Sequence, residues 1–160
     1  MVARDGDGWI QCRCGGKHWG KFGAAGILIF REGNKGEREI FLQHRAPWVH
    51  NGDTWGIPGG ARDSHESITE AAMREAHEET GINCAHLTPL SLFTDDHGDW
   101  RYDTVIASAH SEISADSPND ESQEMRWVAL SEVTMLDLHP SFLQTWFELR
   151  QLLDDVITPT

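Results

Sequence analysis

Short apolar runs separated by Gly, Pro and Asp set the rhythm of this sequence, and two longer stretches break it with a helical period. Trp9 to Cys14 and Lys17 to Phe22 flank Gly15-Gly16, the pattern of a hairpin with a two-residue turn. Ala24 to Phe30 is a continuous apolar run and predicts a buried strand; the polar turn Arg31 to Glu37 leads to a second strand, Arg38 to Arg45. Ala46 to Thr54 predicts a loop. Trp55 to Gly60 holds too much Gly and Pro for a central strand or a helix. From Ser64 or His65 to Thr80 the residues favour helix, and Gly81 supplies a stop. Strands are predicted at Ala85 to Thr94, Trp100 to Ala109 and Glu124 to Leu130, with Ser111 to Asp120 as a loop. An amphipathic helix, from His139 or Pro140 to Leu153, closes the chain.

Strands and helices interleave without a low-complexity linker or an internal repeat, so the expected fold class is α/β, a sandwich formed by a single domain over residues 1–160. At 160 residues and 18.0 kDa one core is the natural outcome, and the N-terminal hairpin, residues 9–22, is counted within it. A formal charge of −13 repels polyanions, which argues against nucleic-acid polymers and anionic membranes as partners. A small phosphate ester remains accessible, given a divalent cation or a few placed Arg and Lys. The N-terminal residues lack the apolar stretch of a secretory signal, and no apolar run approaches the ~20 residues a bilayer requires. Three cysteines make no disulfide framework. The expected setting is cytoplasmic. Oligomeric state stays open, a homodimer included.

On a helical wheel at roughly 100° per residue, Ile68, Ala71, Ala72, Glu75 and Glu79 share one face, and Glu78 lies at its border. Glu70, Arg74 and His77 point the other way. Three carboxylates thus continue the stripe that buries Ile68 and the alanines, where like charges at i, i+3 and i, i+4 repel and burial worsens the conflict. A hard divalent cation with oxygen ligands removes it.

The segment Gly60 to Ile82, GARDSHESITEAAMREAHEETGI, resembles the Nudix box at Gly60, Glu66, Arg74, Glu75, Glu78, Glu79, Gly81 and Ile82; Ala76 stands where a larger aliphatic is usual. The resemblance implies a Nudix fold, an α/β/α sandwich with a mixed sheet, and attack by water on phosphorus in a diphosphate linkage of a small nucleotide-like molecule. It further implies Mg2+, or Mn2+ in its place, held by Glu75 and Glu79 with Glu78 assisting and the Gly59 carbonyl as a further ligand. Arg74 would position the box carboxylates, and Glu66 would act behind them. A general base outside the helix is expected in the loop before Trp127, at Glu121 in preference to Glu124. Arg45, closing a strand ahead of the long loop, stands where the family often holds a phosphate.

Cys12-x-Cys14 with His18 invites a zinc site. A turn at Gly15-Gly16 would pair Cys14 with Lys17 and Arg13 with His18, and alternation would then put His18 on the face opposite the cysteines. A plain hairpin is the expectation. Trp48, Trp55 and Trp100 are candidates to stack a planar group. Family markers of particular substrates are displaced: Asp96 stands where an ADP-ribose-associated proline would fall, and Tyr102 is the only tyrosine. What remains is a generic group that includes enzymes sanitising oxidised nucleoside triphosphates. Two alternatives stay open: a non-catalytic Nudix-like binding domain, and an isopentenyl-diphosphate isomerase, for which Cys84 is poorly placed.

Overall fold

A computed structural model describes residues 4–110, 113 and 122–156. Its strands are β1 (Trp9–Gln11), β2 (Lys17–Trp19), β3 (Ala24–Glu32), β4 (Arg38–Arg45), β5 (Trp55–Gly56), β6 (Gly59–Ala61), β7 (Leu87–Asp96), β8 (Arg101–Ala109) and β9 (Ser122–Ala129). The helices are α1 (Ile68–Thr80) and α2 (Pro140–Asp155). β1 and β2 form a separate antiparallel hairpin; the other seven strands form one sheet, mixed because β3 and β8 run parallel while the remaining pairs are antiparallel. The sheet lies between the two helices. The α/β/α sandwich expected from the sequence is the fold observed.

Register sorts the side chains onto two faces. Leu28, Phe30, Ile40, Leu42, Ile106 and Val128 pack under Phe142, Trp146, Leu149 and Leu153 of α2. Ala25, Ile27, Ile29, Phe41, Val105 and Ala107 pack under Ala71, Ala72 and Ala76 of α1. Period-two alternation in β3 and β4 assigns these sets, as the apolar pattern requires.

A seam in the sheet creates the site. β3 and β4 pair at Phe30–Glu32 against Arg38–Ile40. Beyond that point the facing edge of β3 pairs with β6, Ala24 to Gly26 against Ala61 to Gly59, and that of β4 pairs with β5 at Gln43 and His44. The segment 55–61 therefore fills a wedge between two diverging strands, with the Ile27 N–H donating to the Pro58 carbonyl at 3.0 Å. The Gly- and Pro-rich run, expected to be neither a central strand nor a helix, thus contributes two very short strands. Its glycines are required by space: a Cβ on Gly59 would come 2.3 Å from the Tyr102 hydroxyl, and one on Gly60 2.6 Å from Cδ of Glu75.

Helix α1 starts later than Ser64 or His65. Ser67 caps it, accepting from the Glu70 N–H while the Glu70 carboxylate accepts from the Ser67 N–H, and Gly81 ends it at φ 76°. The Ser67-x-x-Glu70 capping box was readable in the sequence. The N-terminal hairpin also departs from expectation. Trp9 pairs with Trp19, Ile10 with His18 and Gln11 with Lys17, so the loop spans Cys12 to Gly16 rather than two glycines. His18 accordingly faces Ile10, not Arg13.

Candidate active site

Glu79 is buried at 8% exposure and held by two donors, Gln43 Nε2 at 2.8 Å and the Gly59 N–H at 3.3 Å, both to Oε2. Gln43 is itself buried on β4, a polar residue on the face that Phe41 packs toward α1. One turn earlier on the helix, Glu75 lies over Gly60. Burial pushes the Glu75 carboxyl above its ordinary range, against the opposing pull of the Arg74 guanidinium beside it. Glu78 is the most exposed of the three.

Arg74 ties the set together. Its Nε and Nη2 donate to the two oxygens of Glu66 at 2.6 and 2.8 Å, Nη1 donates to Glu75 at 2.8 Å and to Glu78 at 3.3 Å, and Nη2 also reaches the Ala61 carbonyl at 3.0 Å. The wheel turned Arg74 away from the carboxylates, but its long side chain curls back over them. Glu66 precedes the helix, is buried, and also accepts from the Asp63 N–H at 2.9 Å. The hydrogen bonds from Arg74 hold the Glu66 carboxyl below the usual range, and Glu66 in return raises the Arg74 guanidinium. This is a bidentate pair that fixes Arg74, so that Arg74 can fix Glu75. Arg4, from the N-terminal segment, bonds Glu78 and lies 3.6 Å from Asp63.

Glu75 and Glu79 line a cavity of about 640 Å³, together with Gly59, Gly60, Arg4 and Arg45. That is the size of a small-molecule site. Arg45 donates through Nε and Nη2 to the His50 carbonyl at 3.3 and 2.9 Å, which keeps its guanidinium on the cavity wall. Of the three tryptophans singled out, only Trp100 lines the cavity: Trp55 is buried and stacked on His44 with rings 4.7 Å apart, and Trp48 is 72% exposed. Trp9 and Trp19, from the hairpin, line it instead. His139, at the N-cap of α2, also lines it; burial, then the nearby charges of Arg45 and His50, push its imidazole down to about 4. Neither Gln43 nor His139 was singled out in the sequence; Gln43, polar and directly after the apolar run Ile40 to Leu42, was the available signal.

Glu124 lies elsewhere. It pairs with His44 on β9 and its two oxygens accept from Arg126 Nη2, each at 3.0 Å. Even-numbered β4 residues face α2, so this register puts Glu124 across the sheet from the box carboxylates. Glu121 falls outside the described residues. Glu75, Glu78 and Glu79 offer oxygen, the donor a hard divalent cation takes, from adjacent turns of α1, with Arg74 on Glu75 and both Arg74 and Arg4 on Glu78.

A helix that brings two carboxylates to a cavity at a sheet seam, within an α/β/α sandwich, is an arrangement suited to a small-molecule substrate. The NUDIX domain matches residues 20–152, and the chain belongs to the Nudix hydrolase family. It is 44% identical over 156 residues to a Mycobacterium tuberculosis protein provisionally named 8-oxo-dGTP diphosphatase 3, covering 94% of this chain and 71% of that one. A Bifidobacterium longum protein, named a nucleoside triphosphate pyrophosphatase/Nudix hydrolase fusion, is 38% identical over 98% of this chain and 33% of its own length. The crystal structure of RenU, a Nudix hydrolase from M. smegmatis, superposes with a TM-score of 0.90 at 41% identity, covering 97% of this chain and 99% of that one. Among the described residues no helix is long and apolar enough to cross a membrane.

Proposed function

We propose that this chain hydrolyses a diphosphate linkage in a nucleotide, with a divalent cation, magnesium or manganese, held by Glu75 and Glu79. The observation that carries this reading is the pairing of those two carboxylates, a turn apart and both turned into a nucleotide-sized cavity, with a glycine seam that lets substrate oxygens approach the backbone. Glu78 and the Gly59 carbonyl complete the candidate ligand set. The cation would neutralise phosphate oxygens and make water beside it more acidic.

The protein's own part is orientation. Gln43 and the Gly59 N–H hold Glu79, and Arg74, fixed by Glu66, holds Glu75. Arg45 binds a phosphate of the substrate from the cavity wall, and Trp100, with Trp9 and Trp19, offers a surface for a planar base. The proton of the attacking water passes to a carboxylate that the cation does not hold. Glu121 is that base, Glu78 takes the role only where the cation leaves it free, and Glu124 is set aside by its place across the sheet. The name of the M. tuberculosis relative supports an oxidised nucleoside triphosphate as the substrate class.

The test is a panel of nucleoside triphosphates, oxidised forms and nucleoside diphosphate conjugates incubated with magnesium, with products identified by mass. Release of nucleoside monophosphate and pyrophosphate, abolished by excess chelator, is expected. Turnover that continues unchanged in chelator would overturn the metal dependence. Glu121→Gln is expected to lower kcat by at least ~10²-fold, as loss of a general base does, and Glu124→Gln to leave it within about twofold. The reverse order would move the base to Glu124.

A further inference from the structure

The loop of the N-terminal hairpin carries a second candidate site that the hydrolase chemistry does not use. One ligand atom each from Cys12, Cys14 and His18 lies within 4.8 Å of the others, and Cys14 Sγ is 3.2 Å from His18 Nε2. Sequence reasoning separated these residues by assuming a two-residue turn. With the loop running from Cys12 to Gly16, they converge instead. Backbone bonds fix the loop: the Cys12 N–H donates to the Gly16 carbonyl at 2.9 Å, the Gly15 N–H to the Cys12 carbonyl at 3.0 Å, and Gly15 adopts φ +95°. Gly16 leaves room for the group, since a Cβ there would come 3.3 Å from the His18 ring.

We propose that Cys12, Cys14 and His18 bind a zinc-class ion that closes and stiffens the loop of the hairpin. Two thiolates and an imidazole are the donors zinc prefers, and the edges of a tetrahedron with Zn–S of ~2.3 Å and Zn–N of ~2.1 Å are within reach of the observed spacing. Three protein donors leave a fourth position for water. The reason to need an ion is local. A hairpin of two three-residue strands buries little by itself, and such units are marginal in water. Its tryptophans, Trp9 and Trp19, meet edge-to-face at 5.3 Å yet stay 48% and 42% exposed.

The same loop is docked where the ion would act. Cys12 is 2% exposed and its sulfur lies 3.2 Å from the His97 carbonyl; the Arg13 N–H donates to Asp99 at 2.8 Å. The His18 ring stacks flat on Trp100, 4.2 Å between centroids and 8° between planes. His18, Trp9, Trp19 and Trp100 all line the cavity. Stiffening this loop therefore steadies the hairpin side chains that line the cavity, so the ion would shape the site without touching the reaction. The proposal stands independently of the substrate reading.

The experiment uses the full chain, purified with its thiols reduced and loaded with zinc or Co2+. Zinc retained through gel filtration at one per chain is expected, along with a near-ultraviolet sulfur-to-cobalt charge-transfer band in the Co2+ form. Cys14→Ser and His18→Ala should each lose stoichiometric retention, and Glu79→Gln, which alters only the carboxylate site, should keep it. Cys14 is exposed, so its replacement leaves the core intact, which circular dichroism checks. Reduced wild-type protein without stoichiometric zinc or a charge-transfer band overturns the proposal, as does equal retention in wild type, Cys14→Ser and His18→Ala.

Discussion

The two helices cover the same sheet with opposite means. Helix α2 meets it with Phe142, Trp146, Leu149 and Leu153, large side chains that fill the space between the layers. Helix α1 meets it with Ala71, Ala72 and Ala76, each fully buried, so its backbone comes close to β3 and β6. Closeness is what lets short carboxylate arms at Glu75 and Glu79 reach the glycine seam. On the proposed reading the α1 layer carries the chemistry, while the α2 layer carries most of the large apolar burial and lends Phe142 and Leu149 to the cavity wall. An apolar area of large residues stabilises at about 25 cal/mol per Å², whereas a row of alanines contributes less and leaves room for buried charge.

Trp146→Ala is the hardest test of that division. Removing a buried aromatic from the α2 layer is expected to cost about 3–5 kcal/mol, read from denaturant unfolding, while kcat per folded molecule stays near normal because Trp146 does not line the cavity. A small loss of stability, or a large fall in kcat in fully folded protein, would show that the layers are not separate.

Glu79→Gln probes the opposite layer. Loss of a ligand charge should lower kcat by at least ~10²-fold, equivalent to about 2.7 kcal/mol of transition-state stabilisation. Unfolding free energy should stay level or rise, since a carboxylate that crowds Glu75 has been removed and the new amide can still accept from Gln43 and Gly59. Full turnover by folded Glu79→Gln protein would contradict the assigned role.

The same comparison explains what could be read in advance. The box itself was read from its resemblance to the Nudix motif, but the carboxylate face of α1 was legible because its constraint is periodic: residues three and four apart share a face whatever the rest of the chain does. The α2 stripe was legible for the same reason. The role of Arg74 came from the resemblance and not from the wheel, which records where a side chain starts, whereas a guanidinium ends several bonds away. The turn of the N-terminal hairpin depends on the loop docking against His97 and Asp99, more than eighty residues along the chain, and Gly15-Gly16 offered a local answer that this docking overrides. Gln43 and His139 reach the site through register and packing, which no local spacing encodes.

His139 gives the smallest and most specific prediction, because it sits where the α2 layer touches the cavity. It caps α2 through Nδ1, which accepts from the Ser141 N–H at 3.1 Å, and Nε2 lies 3.3 Å from Asn51 Nδ2. The Ser141 contact requires an unprotonated Nδ1, which the neutral ring supplies and the imidazolium does not. Burial and the charges of Arg45 and His50 lower its folded-state value from 6.5 to about 4, so between those limits the unfolded chain binds the proton more tightly. Stability from this residue is therefore complete above about pH 6.5 and is lost as pH falls toward 4. The residue is only half-buried, and solvent screening reduces the effect to roughly 1 kcal/mol. Asparagine is a good helix cap that does not titrate, so His139→Asn should keep α2 intact and flatten the decline in unfolding free energy across that window by this amount. Parallel stability curves for the two proteins between pH 6.5 and 4 would mean that the imidazole is not held neutral by its place at the cavity wall.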